Sequence, residues 1–296
     1  MILHRRQAGI VSGVVNQLRM QTGGSALAPT RLGRVFAELR SRGGKAFIPY
    51  VMLGDPDLES SLAMGRALLA AGADALELGI PFSDPIADGP VIAAAGQRAL
   101  EGGFRLSDAF TALRELRVGT DCPLCLMTYV NPILRRGLRA FSAEVAAAGG
   151  DALIVPDLPL EEGGVLAAAC ADSGLDLVRL LAPTSTDARI HAVVADASGF
   201  IYVVSVAGVT GARQDTLARV PETVARVRRL TTLPLCVGFG IDSPEKAAGA
   251  AAVADGVIVA SALVGAAAGL GPEATPEARA AMVGDLASKL RAAVPR

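Results

Sequence analysis

The chain has 296 residues, 51% of them hydrophobic and 19% charged, which is enough for one large α/β domain and too apolar for a disordered chain. A formal net charge of -1 offers no electrostatic footprint for nucleic acid or an anionic membrane surface. With no Trp and 4% aromatic residues, a base-stacking platform is disfavoured as well, leaving a small molecule or a protein as the expected partner.

Residues 1–30 read as a flexible leader, or as a start placed too far upstream, because the first acid in the chain is Glu38. Arg5 and Arg6 precede an apolar run, but Asn16 and Arg19 interrupt it and no small-residue cleavage site follows, against a secretory signal. Residues 31–43, "RLGRVFAELRSRG", predict a helix. Strands are then predicted at "AFIPYV" (46–51), "ALELGI" (75–80), "PLCLMTY" (123–129) and "ALIVP" (152–156). The series continues with "DLVRLL" (176–181), "FIYVVS" (200–205), "PLCVGF" (234–239) and "GVIVA" (256–260). Ala-rich amphipathic segments such as "LESSLAMGRALLAAG", "RAFSAEVAAAGG" and "PETVARVRRL" lie between them. Continuous apolar strands alternating with helices, eight times over in about 250 residues, predict a (β/α)8 TIM barrel. Residues 31–296 form it as a single domain, with the 31–43 helix closing the barrel bottom. A doubly wound open sheet is the alternative; no G-x-G-x-x-G follows the first strand and no phosphate-loop motif occurs. The uncharged run 256–271 is shorter than a membrane span and reads as a strand, a turn and a helix start.

Much chemistry is removed by what the chain lacks. Cys122-x-x-Cys125 has no second pair at zinc spacing and sits in an apolar strand, so no metal is expected. Cys170 and Cys236 complete a set of free thiols suited to a reducing cytoplasm. Of the two histidines, His4 is in the leader and His191 lies in a helical stretch, so no serine–histidine pair is at hand. The three lysines, Lys45, Lys246 and Lys289, fall away from strand C-termini, against Schiff-base chemistry. Carboxylates remain. Strand alternation turns Glu77 away from Leu76 and Leu78 and into the barrel top, where burial raises its pKa unless a cation pairs with it. Arg179 on strand five is the candidate for such a pair. The following loop, "PFSDPIADGP", carries Asp84, also readable as a turn residue, and Asp88, also readable as a helix cap. Opposite it, "AGVTGAR", "GFGIDSPE" and "ASALV" follow the last three strands. Backbone N–H groups at Gly211, Gly240, Ala260 and Ser261 are therefore placed to bind a phosphate dianion.

The motifs "PYVMLGDPD", "LELGIPFSDPIADGP", "MTYVNPIL", "PDLPLEE", "VSVAGVTGAR" and "GFGIDSPE" carry a resemblance across residues 31–295. The chain resembles the tryptophan synthase α subunit family. That resemblance implies retro-aldol cleavage of indole-3-glycerol phosphate to indole and glyceraldehyde 3-phosphate, in the cytoplasm. It implies no cofactor in this chain, and a pyridoxal-phosphate β subunit as partner in an α2β2 complex. Glu77 matches the residue that protonates indole C3 and takes up the glycerol hydroxyl proton. Asp88 matches the aspartate that bonds the indole N–H. Tyr50, Met127, Leu180, Tyr202 and Phe239 match the indole pocket, and Thr210 the loop that closes on Asp88, with Gly208 and Gly211 as hinges. Phe82 is expected as the exposed anchor for the β subunit. Two departures bear on closure and phosphate binding: Val206-Ala207 replaces a frequent Arg-Ser pair, and Ala260 stands where Gly is usual. Three other readings are a stand-alone lyase releasing free indole, a different phosphate-binding barrel such as an isomerase, and a non-catalytic barrel that activates a partner.

Overall fold

A computed structural model describes residues 30–204, 219–238 and 240–296. The expected leader lies outside them except for Thr30, whose hydroxyl accepts from Gly33 N at 3.1 Å and caps helix α1 (Arg31–Ser41). Strand β1 (Ala46–Met52) precedes α2 (Leu58–Ala70), and β2 (Leu76–Gly79) precedes α3 (Pro90–Glu101) and α4 (Leu106–Arg117). After β3 (Leu124–Met127) come α5 (Val130–Arg136) and α6 (Leu138–Ala147); after β4 (Ala152–Ile154), a 3-10 turn and α7 (Gly164–Asp172). Then follow β5 (Asp176–Leu181), α8 (Asp187–Asp196), β6 (Ile201–Val204), α9 (Val220–Arg228), β7 (Leu235–Gly238) and α10 (Pro244–Val253). The chain ends with β8 (Gly256–Val259), α11 (Ser261–Ala268) and α12 (Pro276–Ala292). The eight parallel strands close in chain order, with β8 pairing back onto β1 from Ala46↔Gly256 to Pro49↔Val259.

All eight strands stand where apolar runs predict them, but most are a residue or two shorter. The third spans Leu124–Met127 rather than 123–129, since Pro123 has no N–H for the ladder and Thr128–Tyr129 already turn into α5. Residue parity sorts the core into two layers. Leu76, Leu78, Leu124, Leu126, Leu153, Val203 and Val257 pack outward against the helices. Ala46, Ile48, Cys125, Ala152, Ile154, Val178, Tyr202, Cys236 and Ile258 face the barrel axis. Leu32, Phe36 and Leu39 of α1 complete that inner cluster, with Phe36 against Phe200 at 5.9 Å between ring centroids. Helix α1 thus plugs the bottom, as expected, ending at Ser41 rather than at residue 43. Among the described residues no helix is long and apolar enough to cross a membrane.

One buried carboxylate ties the bottom together. Asp151, just before β4, accepts from Arg31 Nη1 at 2.9 Å, from the Leu124 amide at 2.8 Å and from the Arg117 guanidinium. Arg117 also bonds the carbonyls of Gly149 and Cys122, so α1, α4, β3 and β4 meet at one ion cluster. Removing one partner of a buried pair leaves the other charge uncompensated, at a cost of about 3–5 kcal/mol. Asp151→Ala is expected to lose that much stability in urea unfolding at neutral pH. A loss within about 1 kcal/mol would show the cluster behaving as an exposed pair.

Candidate active site

The same parity that builds the core fills the barrel mouth. Tyr50, Glu77, Met127, Leu180 and Tyr202, all inward positions near strand C-termini, line a cavity of about 230 Å³ with Asp88, Gly240, Ala260 and Ser261. Nine of the expected site residues therefore meet in one place. Thr210, Gly211 and Phe239, with Gly208 and Val206-Ala207, lie outside the described residues.

Glu77 is 1% exposed, and its Oε2 is buried with no hydrogen-bond partner among the described residues. Its backbone is held on both sides, in register with Tyr50 of β1 and Cys125 of β3. The alternative of an ion pair with Arg179 does not occur. Arg179 lies on the outward side of β5 and binds Asp196 of α8, its Nε at 2.8 Å. Without a compensating cation, burial pushes the Glu77 carboxyl up to about 8, and the nearby charge of Asp88 adds to that.

Two tyrosines roof the acid by a device written into the neighbouring strands. Tyr50 lies over Gly79 so closely that a Cβ there would sit 1.8 Å from its hydroxyl. Tyr202 lies over Gly238 in the same way, at 2.4 Å. Any side chain at either glycine would push a ring into the cavity, which is why an inward strand position is empty at both.

Asp88 stands at the far end of the β2–α3 loop, one residue before the cap of α3. The cap is Gly89, with no side-chain bond, so the capping role considered for Asp88 is not used. Arg98 of α3 holds the helix in place by a paired contact to the buried Asp55, both bonds 2.8 Å. Tyr129 accepts from the Ala87 amide at 3.1 Å and its hydroxyl bonds the Asp88 carboxylate. Burial pushes Asp88 up to about 6, and that Tyr129 bond pulls the other way. Tyr129 belongs to the "MTYVNPIL" motif, which by itself gives it no role. Its position at the C-terminal end of the expected strand 123–129 was the available signal.

The same tyrosine corrects the expectation for Phe82. Phe82 is half-buried and stacks on Tyr129, 4.9 Å between centroids and 22° between planes. Pro81 is buried; the exposed apolar side chain of this loop is Ile86, at 73%. Asp84 stays at the surface, taking the Ser83 hydroxyl at 2.6 Å, and serves the turn.

On the opposite wall, Gly240 has φ +76°, a conformation that favours glycine after β7. Ala260 has φ -119°, outside the left-handed region that would require a glycine. The Ala260 carbonyl takes the Leu263 and Val264 amides, and the earlier N–H groups of α11 have no partner within the helix. The thiols take no part: Cys122 bonds the Ala73 carbonyl at 3.4 Å, and burial pushes it up to about 12.

Comparison with known proteins identifies the family. The family described as "Tryptophan synthase alpha chain" matches residues 36–293. The tryptophan synthase alpha chain of Carboxydothermus hydrogenoformans is 52% identical over 79% of this chain and 88% of its own. That of Chloroflexus aurantiacus is 48% identical over 88% and 98%. Among solved structures, tryptophan synthase of Mycobacterium tuberculosis aligns with TM-score 0.79 at 42% identity, covering 89% of this chain and 99% of the other. The alpha subunit of Legionella pneumophila aligns with TM-score 0.81 at 34% identity, covering 90% and 98%. The chain belongs to the tryptophan synthase alpha chain family.

Proposed function

We propose that Glu77 and Asp88 carry the family's lyase reaction, retro-aldol cleavage of indole-3-glycerol phosphate. The observation that carries this reading is that Glu77, whose buried Oε2 has no partner among the described residues, lines the same cavity as Asp88. With their pKa values near 8 and 6, at neutral pH Glu77 is protonated and Asp88 is ionised. Two carboxyls in one cavity thereby take opposite roles. Glu77 delivers its proton to indole C3, and positive charge spreads to the ring nitrogen, where Asp88 accepts the N–H. That contact strengthens as charge develops, so it favours the transition state over the bound substrate. The bond from C3 to the glycerol carbon then breaks, and its electron pair restores the aromatic ring. The hydroxyl on that carbon gives its proton to the Glu77 carboxylate as the aldehyde forms. Atoms and protons balance without water or a cofactor. Tyr50, Met127, Leu180 and Tyr202 hold the indole ring, and the amides at the start of α11 with Gly240 hold the phosphate.

The pH dependence follows from the two roles. The profile of kcat/KM for indole release is expected to be bell-shaped, falling below about 6 as Asp88 protonates and above about 8 as Glu77 ionises. An alkaline limb unchanged in Glu77→Gln would assign that limb to another group.

The partner is proposed as a tryptophan synthase β subunit in an α2β2 complex, with pyridoxal phosphate in that subunit and no cofactor in this one. The four cysteines are all free, which suits the reducing cytoplasm proposed for it. Ile86, exposed on the loop that ends in Asp88, is the apolar contact that would couple docking to the site. Adding a β subunit is expected to raise indole release at least about tenfold by fixing this loop. Ile86→Ser should shrink that rise more than it lowers the isolated activity. If the isolated chain is already fast and a β subunit changes nothing, the stand-alone lyase reading replaces this one.

A further inference from the structure

Arg279, in the first turn of α12, is 3% exposed and has no carboxylate partner among the described residues. Its Nη1 donates to the Ala267 carbonyl at 2.7 Å, and its Nη2 donates to the carbonyls of Gly271 at 2.5 Å and Pro272 at 3.4 Å. Its Nε is buried and has no partner among the described residues. A buried guanidinium is costly unless something negative faces it. What faces it is the C-terminal end of α11, whose last carbonyls carry the negative pole of the helix. The opposite end of α11 is the cavity wall at Ala260 and Ser261. Arg279 and the cavity therefore bracket one helix of eight residues, about 12 Å long.

We infer that Arg279 is a positioning residue for the substrate phosphate, acting through α11. This rests on the phosphate reading of that helix start given above. The cation offsets the negative pole that would otherwise weaken the attraction of the N-terminus for a dianion. The fork of bonds to Ala267 and Gly271 also ties the C-terminal end of α11 to α12, which adds stability. A unit charge roughly 16 Å from a dianion, at an effective dielectric of about 20, changes affinity by about three- to thirtyfold.

The test uses glycerol phosphate and indole as separate probes of the full chain, with affinities from calorimetry and amide shifts from NMR. Arg279→Gln loses the charge, and Arg279→Lys keeps it; both lose the planar fork. Both are expected to melt earlier than the parent chain. Only Arg279→Gln should weaken glycerol phosphate, by at least about threefold, while indole affinity stays within twofold in both. Should Arg279→Gln not fold, a folded Arg279→Lys that keeps its phosphate affinity supports the charge role. Equal weakening of both ligands, weakening of phosphate in Arg279→Lys as large as in Arg279→Gln, or none in Arg279→Gln would reduce Arg279 to a structural staple. If glycerol phosphate leaves the Ser261 amide unmoved in the parent chain, the phosphate assignment itself falls, and this inference falls with it.

Discussion

Glu77→Gln is expected to lower turnover of indole-3-glycerol phosphate by at least the ~10²–10⁴ that one general acid–base group supplies. The amide occupies the same volume between Tyr50 and Cys125, so the barrel and the cavity stay as they are. Substrate affinity should change little, because the group is neutral near pH 7 in the parent chain, with its pKa near 8. The loss belongs to kcat, and single-turnover measurement of indole release reads it directly. Since one carboxyl serves both the C3 proton and the hydroxyl proton in the proposed mechanism, the lower bound of that range is the conservative one. Turnover within a few-fold of the parent would remove Glu77 from the mechanism and return the cavity to a binding role. Binding of indole without cleavage would favour the non-catalytic reading.

Most of this site was legible in the sequence because period-two parity does the same work in text and in space. Glu77 flanked by two leucines on a four-residue strand has only one place to go, the barrel interior. The same parity, applied to Arg179 beside Leu180, turns the arginine outward and removes the ion pair that sequence reading kept open. What parity does not reach is contact between segments distant in sequence. Phe82 looks exposed in a loop until Tyr129, 47 positions later, supplies a ring to stack on. Tyr129 gains its role only because its hydroxyl reaches back to Ala87 and Asp88. Nothing in the sequence around Arg279 sets it apart from the other charges of its helix until the end of α11 packs against it. Strand ends shift for a more local reason: side-chain pattern marks a run of apolar residues, whereas ladder length is set by where a backbone N–H finds a carbonyl.

The burial that suits Glu77 to its proposed role also predicts a stability cost with a definite pH dependence. In the unfolded chain the carboxyl ionises near its ordinary 4.5; in the folded protein it holds its proton to about 8. Between those values the native state binds more protons than the unfolded one, so stability falls as pH rises through that window. Above about 8 the loss is complete and levels off, and below about 4.5 it is absent. At 1.36 kcal/mol per unit, a difference of 3.5 between 8 and 4.5 corresponds to about 5 kcal/mol. Glu77→Gln has no proton to lose and escapes this term, while Asp88 and the ion cluster at the barrel bottom are common to both proteins. Urea unfolding of the pair should show stabilities within about 1–2 kcal/mol of each other near pH 5, the amide and the protonated acid being similarly polar. By pH 8.5 the variant should be the more stable by several kcal/mol, with the gap growing steadily in between. The inactive protein would then be the sturdier one, as expected where an unpaired buried acid is retained for its chemistry. A gap that does not change with pH would mean that Glu77 ionises normally in the folded chain. The proton donor for indole C3 would then have to be sought elsewhere in the cavity.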